Sequence, residues 1–398
     1  MSKKSDRYPL SDLKVLDFSR VLAGPFAGRM LSDLGADVIK IEPPEGDVTR
    51  FWGKEVANIQ GYYHQQNIGK RNICLNLRKP EAVALVKRLV EASDIVIENY
   101  RPNVMDRLGL GYKALKNINP RVIMLSISGF GRDGPESHKP AYAPVIHAEV
   151  GLIHRKWKRG GGSLSDLPTS LADTNAALHG LVGTLAAVHM RERTGVGQHL
   201  DIAMIDATAA TDDQLQYDLE SSHHTAPLPN EVWGVGFGHV MIATDFRLFF
   251  RLLVEHFSLE DPTQADMELN QKVSLRREAV GSFLLAINTR ESFEAMMEKL
   301  NIAWGEVRDP ATVTEQKTIK HRKSIIKTDD RDGGERPTTQ SPYRFSDALS
   351  GAGGKTSYRG EDYESILRDW LNLGDSELTS LREKEILLFN SEWRAGEN

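Results

Sequence analysis

The sequence predicts an α/β fold in which a parallel sheet flanked by helices forms a large domain, interrupted by a smaller α+β domain. Short apolar segments typical of buried strands alternate with amphipathic helical segments through the first half of the chain. The 398 residues exceed what one ordinary core accommodates, so two domains or one large interrupted domain are expected. The pattern changes near residue 222 and again after a polar, turn-rich connector at residues 329–337.

The first strand–helix–strand unit lies near the start of the chain. Residues 14–18 have the pattern of a short buried strand, and a loop of small residues follows. Pro25 stands where the first turn of a helix favours proline, ahead of a helical pattern over residues 26–34. Residues 37–42 give a second strand. This order predicts two parallel strands joined by a right-handed crossover.

The same order is repeated along the chain. Strand patterns occur at residues 72–77, 94–98, 122–128 and 199–204, and helical patterns occur at residues 80–91, 171–193 and 358–388. We therefore expect residues 1–224 and 331–398 to form the large domain and residues 225–330 to form the small one.

Composition and charge disfavour several classes of protein. Hydrophobic residues make up 40% of the chain and charged residues 26%, which is typical of a globular protein rather than a disordered one. The formal net charge of −5 is not that of a nucleic-acid-coating protein. No apolar run is long enough to span a bilayer.

Cysteine usage and the first residues indicate a soluble, cytoplasmic protein. Cys74 is the only cysteine, so neither an internal disulfide nor a multi-thiolate metal site can form within one chain. It lies in an alternating apolar segment, which indicates a buried strand residue rather than a catalytic thiol. Residues 1–7 are charged but precede no apolar stretch of the kind that secretory signals contain.

Several common catalytic motifs are missing from the sequence. No G-x-G-x-x-G follows the first strand, which removes the phosphate-binding turn of a dinucleotide-dependent dehydrogenase. No Walker A sequence, H-E-x-x-H motif or G-x-S-x-G elbow occurs either. Kinase, zinc hydrolase and serine esterase activities therefore lose their main support.

Four segments together resemble the class III CoA-transferases, a family that includes formyl-CoA and carnitine-type transferases and the related 2-methylacyl-CoA racemases. They lie at residues 15–42, 67–109, 128–135 and 173–206. Weaker similarities extend the resemblance nearly to the end of the chain. The resemblance implies a large, doubly wound domain built from both chain ends, a small domain, and an interlocked homodimer. It also implies coenzyme A thioesters and carboxylic acids as substrates, and no permanently bound cofactor or metal.

Asp173 matches the family's catalytic aspartate, which attacks the thioester to give an acyl-aspartyl anhydride and the CoA thiolate. Such a weak nucleophile must be ionised, correctly placed and shielded from water. From the spacing alone, a second interpretation is a helix N-cap, because Asp before a helical pattern is a common cap. The two roles are compatible, since a helix N-terminus stabilises a carboxylate.

Other residues match family positions that bind coenzyme A. The site needs basic side chains, backbone donors and an apolar or aromatic face. The matching residues are Val21, Leu22 and Ala23 after the first strand, Leu75 and Arg78 at the adenine and phosphate end of coenzyme A, Asn99, Tyr100, Val104 and Arg107 in a loop that binds its pantetheine and phosphates, and Met204. For Arg78 and Arg107 taken singly, an exposed surface charge is the alternative.

Tyr142 favours transfer over racemisation. The racemases of this superfamily place a histidine base at the matching position, whereas transferases commonly have tyrosine there. His147 lies five residues later and is expected to pack on a helix. An acyl-CoA racemase remains the second hypothesis, and a non-catalytic CoA-binding subunit the third. The presence of Asp173 argues against the third.

Beyond residue 222, glycine occupies every second position at Gly234, Gly236 and Gly238. These glycines are a candidate for the mobile loop that covers the nucleophile in some transferases. An ordinary hairpin or bulge is the alternative interpretation.

Overall fold

The computed structural model describes residues 6–222 and 230–390. The chain divides into two compact units. The large unit comprises Met1–Leu215 and His321–Asn398, and the small unit comprises Gln216–Lys320.

The strands of the described residues are, in chain order, β1 (Lys14–Asp17), β2 (Asp37–Glu42), β3 (Glu55–Val56), β4 (Ile59–Gln60), β5 (Arg71–Cys74), β6 (Ile95–Glu98), β7 (Ile123–Ser128), β8 (His199–Ala203), β9 (Asn230–Val235), β10 (Gly238–Ala243), β11 (Ala303–Glu306), β12 (Ile325–Asp329) and β13 (Glu335–Thr339).

The α-helices are α1 (Ala23–Asp33), α2 (Gly61–Asn67), α3 (Pro80–Glu91), α4 (Val104–Arg107), α5 (Tyr112–Ile118), α6 (Ala143–Glu149), α7 (Leu152–Gly160), α8 (Leu171–Thr194), α9 (Met204–Ala210), α10 (Leu215–Leu219), α11 (Phe246–Phe257), α12 (Leu269–Leu285), α13 (Arg290–Leu300), α14 (Lys317–Arg322), α15 (Tyr363–Leu371) and α16 (Asp375–Glu383), with 3₁₀ turns at Val48–Phe51 and Pro310–Glu315.

A six-stranded parallel sheet in the order β5-β2-β1-β6-β7-β8 organises the large unit. Alternate residues of each strand face opposite sides, so Val15 of β1 packs in one apolar core and Leu16 in the other. Helices α1 and α8 cover the first face, whereas α3 and the C-terminal helices cover the second. This arrangement confirms the predicted doubly wound α/β fold.

The strand order reverses between β1 and β6. From β1 the chain moves outward through β2 to β5, then returns to the other side of β1 for β6, β7 and β8. The connections that leave the carboxyl ends of β1 and β6 therefore diverge to opposite sides and open a crevice. Ligands of open α/β sheets bind in such a crevice.

The C-terminal segment packs on the first part of the chain. Leu367 and Trp370 of α15 are buried in the same core as Leu85 of α3. Arg71 of β5 donates to Asp369 at 2.8 Å, and the Trp370 indole donates to Asp37 at 2.9 Å. These contacts place both ends of the described chain in one large unit.

The small unit contains a three-stranded antiparallel sheet in the order β11-β10-β9. Helices α11, α12 and α13 contribute Leu253, Leu284 and Phe293 to its core, where Phe293 meets Trp304 edge-on. The unit is therefore α+β and has its own hydrophobic centre.

The expected domain boundaries stay predictions. The first of them, between residues 224 and 225, lies outside the described residues, and the expected boundary after residue 330 is ten residues beyond the end of the small unit at Lys320. Among the described helices, none is long and apolar enough to cross a membrane.

Candidate active site

A pocket of about 480 Å³ lies within the large unit, at the carboxyl ends of β1, β6 and β7. Its walls come from the segments that follow these strands, together with the first turns of α6, α8 and α9. This is the crevice that the reversal of strand order opens, so the topology of the sheet determines where the pocket lies.

Eight of the residues that the sequence singled out line this pocket together: Val21, Ala23, Asn99, Tyr100, Val104, Tyr142, Asp173 and Met204. They come from segments up to about 180 residues apart, and only the sheet brings them to one place.

Four other candidates do not line this pocket. Leu75 is fully buried and bridges to Leu387, and Leu22 is also buried. Arg78 and Arg107 are exposed on the large unit. The contacts with coenzyme A that the resemblance implies for these four residues stay predictions.

The three glycines lie in and around the β9–β10 hairpin of the small unit. Gly234 pairs with His239, and Gly238 begins β10. The Gly236 N–H donates to Ile287, and a Cβ at this glycine would come within 2.5 Å of Asn288 Oδ1. A hairpin was the alternative left open by the sequence, and the hypothesis that these glycines cover the nucleophile stays a prediction.

Asp173 is the third residue of α8, in its first turn, and Ser170 occupies the N-cap position. The N-cap interpretation of Asp173 was therefore wrong, because the helix begins two residues earlier. The carboxylate still lies at the positive end of the helix dipole. Burial raises its pKa from 3.8 to about 6, although hydrogen bonds from the backbone at Ala23 and Ala143 oppose this increase.

The backbone donors to Asp173 come from two other helix starts. Ala23 is the first residue of α1 and Ala143 is the first residue of α6. N–H groups in a first turn have no partner within their own helix, so they are free to donate to an anion. The sequence had placed residues 22–24 in a loop, and the earlier start of α1 gives Ala23 this role.

His147 lies on α6 and packs against the start of α8, as the sequence predicted. It is fully buried, and its Nε2 accepts the Ala172 N–H at 3.1 Å. Its Nδ1 lies 2.8 Å from an Asp166 oxygen, so Nδ1 carries the proton of this hydrogen bond. His147 thus fixes the turn that presents Asp173.

The connection between β1 and α1 has an unusual backbone conformation. Val21 has φ of +66°, a left-handed conformation that costs a β-branched residue roughly 1–2 kcal/mol. The preceding Arg20 is held by the Asn99 side chain, which accepts its N–H at 2.7 Å and donates to its carbonyl at 2.8 Å. Ser19 N–H donates to Asp17 at 3.0 Å. The loop is therefore held by side chains from two neighbouring strand ends.

The pocket also contains cationic side chains that the sequence reasoning did not select. Arg20 and Arg101 line it, and among the described residues neither forms an ion pair with a carboxylate. Lys139 lines it as well, paired with Glu149 at 2.5 Å. Arg20 and Arg101 are adjacent in sequence to the selected residues Val21 and Tyr100, and this adjacency could have identified them. These charges suit an anionic ligand.

Tyr62 is a further residue that the sequence reasoning missed. Burial, followed by the negative charge of nearby Asp173, raises the pKa of its phenol to about 12. The phenol therefore stays protonated at neutral pH and can donate a hydrogen bond. Trp52 packs edge-on against Tyr62, with ring centroids 5.3 Å apart.

The described part of the chain contains no group of three or more His, Cys, Asp or Glu side chains that could hold a metal ion. The chemically active groups that line the pocket include the Asp173 carboxylate, the phenols of Tyr100 and Tyr142, and the cationic side chains of Arg20, Arg101 and Lys139.

Comparison with known proteins identifies relatives over most of the chain. The model of CoA-transferase family III matches residues 10–355. Succinyl-CoA–D-citramalate CoA-transferase of Chloroflexus aurantiacus is 31% identical over 97% of this chain and 100% of its own length. Succinyl-CoA:mesaconate CoA-transferase of Haloarcula marismortui is 30% identical over 90% of this chain and 95% of its own length.

Structural comparison agrees. A CaiB/BaiF family protein from Brucella suis, known from its crystal structure, superimposes with a TM-score of 0.78 and 31% identity, over 91% of this chain and 99% of that protein. Because the family model covers far more than half of the residues, the chain belongs to CoA-transferase family III and is an enzyme of this class.

Proposed function

We propose that Asp173 is the nucleophile with which this enzyme transfers coenzyme A from an acyl-CoA to a carboxylic acid. Its carboxylate attacks the thioester carbonyl, the C–S bond breaks, and an aspartyl-acyl anhydride and the CoA thiolate result. The acceptor carboxylate then attacks the aspartyl carbonyl carbon and releases the donor acid. Finally, the thiolate attacks the acceptor acyl carbon, which forms the new thioester and frees Asp173. Atoms and electrons balance without a further reactant.

The environment of Asp173 is the observation that carries this proposal. The side chain lines the pocket, and burial raises its pKa to about 6. It is therefore ionised at neutral pH, yet more basic and less hydrated than an exposed carboxylate, both of which favour nucleophilic attack. The backbone donors at Ala23 and Ala143 orient it.

Dicarboxylic acids are the proposed class of acceptor. The relatives described above are named for D-citramalate and mesaconate, and a succinate–glutarate CoA-transferase of Agrobacterium fabrum is 40% identical over about half of this chain. The second carboxylate of a dicarboxylic acceptor needs a cationic side chain in the pocket that binds it. Arg20 and Arg101, which have no carboxylate partner among the described residues, suit that requirement.

The racemase alternative needs a base that reaches the carbon next to the thioester. His147 is fully buried, does not line the pocket, and uses both ring nitrogens in contacts with Asp166 and Ala172. Tyr142 lines the pocket with 63% of its surface exposed. These positions favour transfer over racemisation.

The experiment is a mass-spectrometric screen for transfer. Purified protein is mixed with succinyl-CoA or acetyl-CoA and a panel of free acids, among them citramalate, mesaconate, glutarate and a monocarboxylic acid. We expect a new acyl-CoA with the dicarboxylic acids. Asp173→Ala should abolish the product, whereas Asp213→Ala, which removes an exposed carboxylate outside the pocket, should not.

The outcomes separate the hypotheses. Product that persists in Asp173→Ala would remove the nucleophile assignment. Deuterium exchange next to the thioester of a branched acyl-CoA, without transfer, would favour a racemase. Binding of coenzyme A without any turnover would favour a non-catalytic subunit.

We further propose a homodimer in the cytoplasm. Helix α8 of the large unit carries the exposed apolar side chains Leu178, Val182 and Met190, and a second chain would cover such a face. Light scattering on the eluting protein should give twice the chain mass. The buried thiol of Cys74 is consistent with a reducing compartment.

A further inference from the structure

The carboxylate of Asp47 contacts Val21, the residue with left-handed backbone conformation in the loop after β1. Both of its oxygens accept the Val21 N–H, at 3.3 and 3.4 Å. Asp47 is almost completely buried, and its Oδ1 also accepts the backbone N–H and the hydroxyl of Thr49, at 3.0 and 2.9 Å. These bonds anchor the carboxylate to the 3₁₀ turn that follows β2.

Lys40 joins the same contact from β2. Its ammonium lies 3.1 Å from Asp47 Oδ2 and also donates to the Ser19 carbonyl. Both side chains of this ion pair are 1% exposed. A buried charge pair is costly unless further hydrogen bonds satisfy it, and here those bonds go to the backbone of the loop. The pair therefore acts on the conformation of Ser19 and Val21.

The conformation of Val21 in turn determines where α1 begins. Ala23, two residues later, is the first residue of α1; it lines the pocket together with Asp173, and its N–H lowers the pKa of that carboxyl. A relaxed Val21 would leave the left-handed region and rotate the following peptide groups. The Ala23 N–H would then no longer meet the carboxylate.

We infer that Asp47, paired with Lys40, is a positioning residue for the reaction: it holds Val21 in the left-handed conformation and so aims the Ala23 N–H at the nucleophile Asp173. This inference rests on the proposed function of Asp173. Asp47 itself does not line the pocket, so it acts through Val21 rather than on the substrate.

The chain offers a matched control for a test of this role. Asp94 also combines a backbone contact with an ion pair, since it accepts the Lys14 N–H at 2.9 Å and the Arg191 guanidinium at 2.9 Å. It precedes β6, at the opposite edge of the sheet from the pocket. Asp94→Asn therefore removes a carboxylate that joins a backbone N–H to a buried guanidinium, without touching the loop.

The first measurement is steady-state transfer by Asp47→Asn and Asp94→Asn. The asparagine amide oxygen accepts the Val21 N–H more weakly than the carboxylate does. The substitution also leaves the charge of Lys40 without its partner. We expect kcat to fall at least tenfold, roughly, in Asp47→Asn, with KM for the acyl-CoA changed less than about threefold, because the loss concerns the reacting groups. Asp94→Asn should stay within about twofold of the parent in both. Equal losses in the two variants would overturn the inference.

A second measurement tests the route through Val21. Glycine adopts the left-handed conformation without strain, so Val21→Gly needs less help from Asp47. We therefore expect Asp47→Asn to lower kcat by a clearly smaller factor in the Val21→Gly background. The same factor in both backgrounds would mean that Asp47 acts by another route. Thr49→Val removes one bond to Asp47 and is a milder variant should Asp47→Asn fail to fold. Thr49→Val should also lower kcat, by a smaller factor than Asp47→Asn.

Amide hydrogen exchange distinguishes a failure of this inference from a failure of the proposed function. The peptide covering residues 18–24 should exchange faster in Asp47→Asn than in Asp94→Asn, whether or not a substrate has been found. Unchanged exchange would overturn the positioning role even in an active enzyme. Faster exchange in a protein that transfers nothing would instead refute the proposed function alone.

Discussion

Asp173→Asn is expected to make the protein more stable while it abolishes transfer. Burial raises the pKa of this carboxyl from 3.8 to about 6, which means that the folded protein holds the proton more tightly than the unfolded chain. At pH values below 3.8 both states are protonated, and the group contributes nothing to the pH dependence of stability. As the pH rises through the interval up to about 6, the unfolded chain ionises first and stability is lost.

The magnitude follows from the same two values. At about 1.4 kcal/mol per pH unit, the difference between 3.8 and about 6 amounts to about 3 kcal/mol. This is the cost of keeping Asp173 ionised in the folded protein at all pH values above about 6. Asparagine has the shape of the carboxylate and no charge, and its oxygen still accepts the backbone donors, so the variant escapes the cost.

The assay is thermal unfolding of parent and variant between pH 4 and pH 8. At pH 8 we expect a gain of up to about 3 kcal/mol, or roughly 4 °C in melting temperature for a chain of this length, which shrinks nearly to zero towards pH 4. Asp213→Asn, an exposed carboxylate outside the pocket, should show no such gain. A variant no more stable than the parent at pH 8, or a gain that does not depend on pH, would refute the reasoning about Asp173.

Two further predictions concern activity. Because the proposed nucleophile, Asp173, attacks only when it is ionised, kcat/KM for transfer should fall about tenfold per pH unit below about 6, and a profile that stays flat down to pH 4.5 would contradict this. Gly24→Ala should lower transfer at least tenfold, roughly, since its Cβ would lie 2.1 Å from Ser19 Cβ and displace the loop. Gly160→Ala, where nothing lies within 4 Å, is the control, and equal activities would show that the loop tolerates the shift.

Local patterns in the sequence predicted the elements of the large unit closely. The helix expected over residues 80–91 is α3, and the strand expected over residues 37–42 is β2, with the same bounds. Apolar periodicity and the position of proline are properties of neighbouring residues, so one sequence suffices to find them. The start of α1 was missed by three residues, because no side chain caps it and its position depends on contacts with distant residues.

The candidate site was predicted only in part. The family motifs supplied Asp173 and most of the residues around it. They did not separate pocket residues from others in the same motif, since Leu75 is fully buried and Arg107 is exposed and outside the pocket. Arg20 went unselected although it is adjacent to Val21. Which side of a turn faces a pocket depends on backbone angles that a motif does not state.

Neighbouring residues were enough to predict the fold class and the family, and to make Asp173 the candidate nucleophile, because periodicity and motif order are local properties of the chain. The tertiary structure alone brings Val21, Ala23 and Asp173 into one pocket, buries Asp173 so that its pKa rises to about 6, and lets Asp47 accept the N–H of the left-handed Val21. Burial, electrostatic fields and backbone strain are properties of residues that are distant in the chain and close in space. They arise only when the parallel sheet brings its strand ends together.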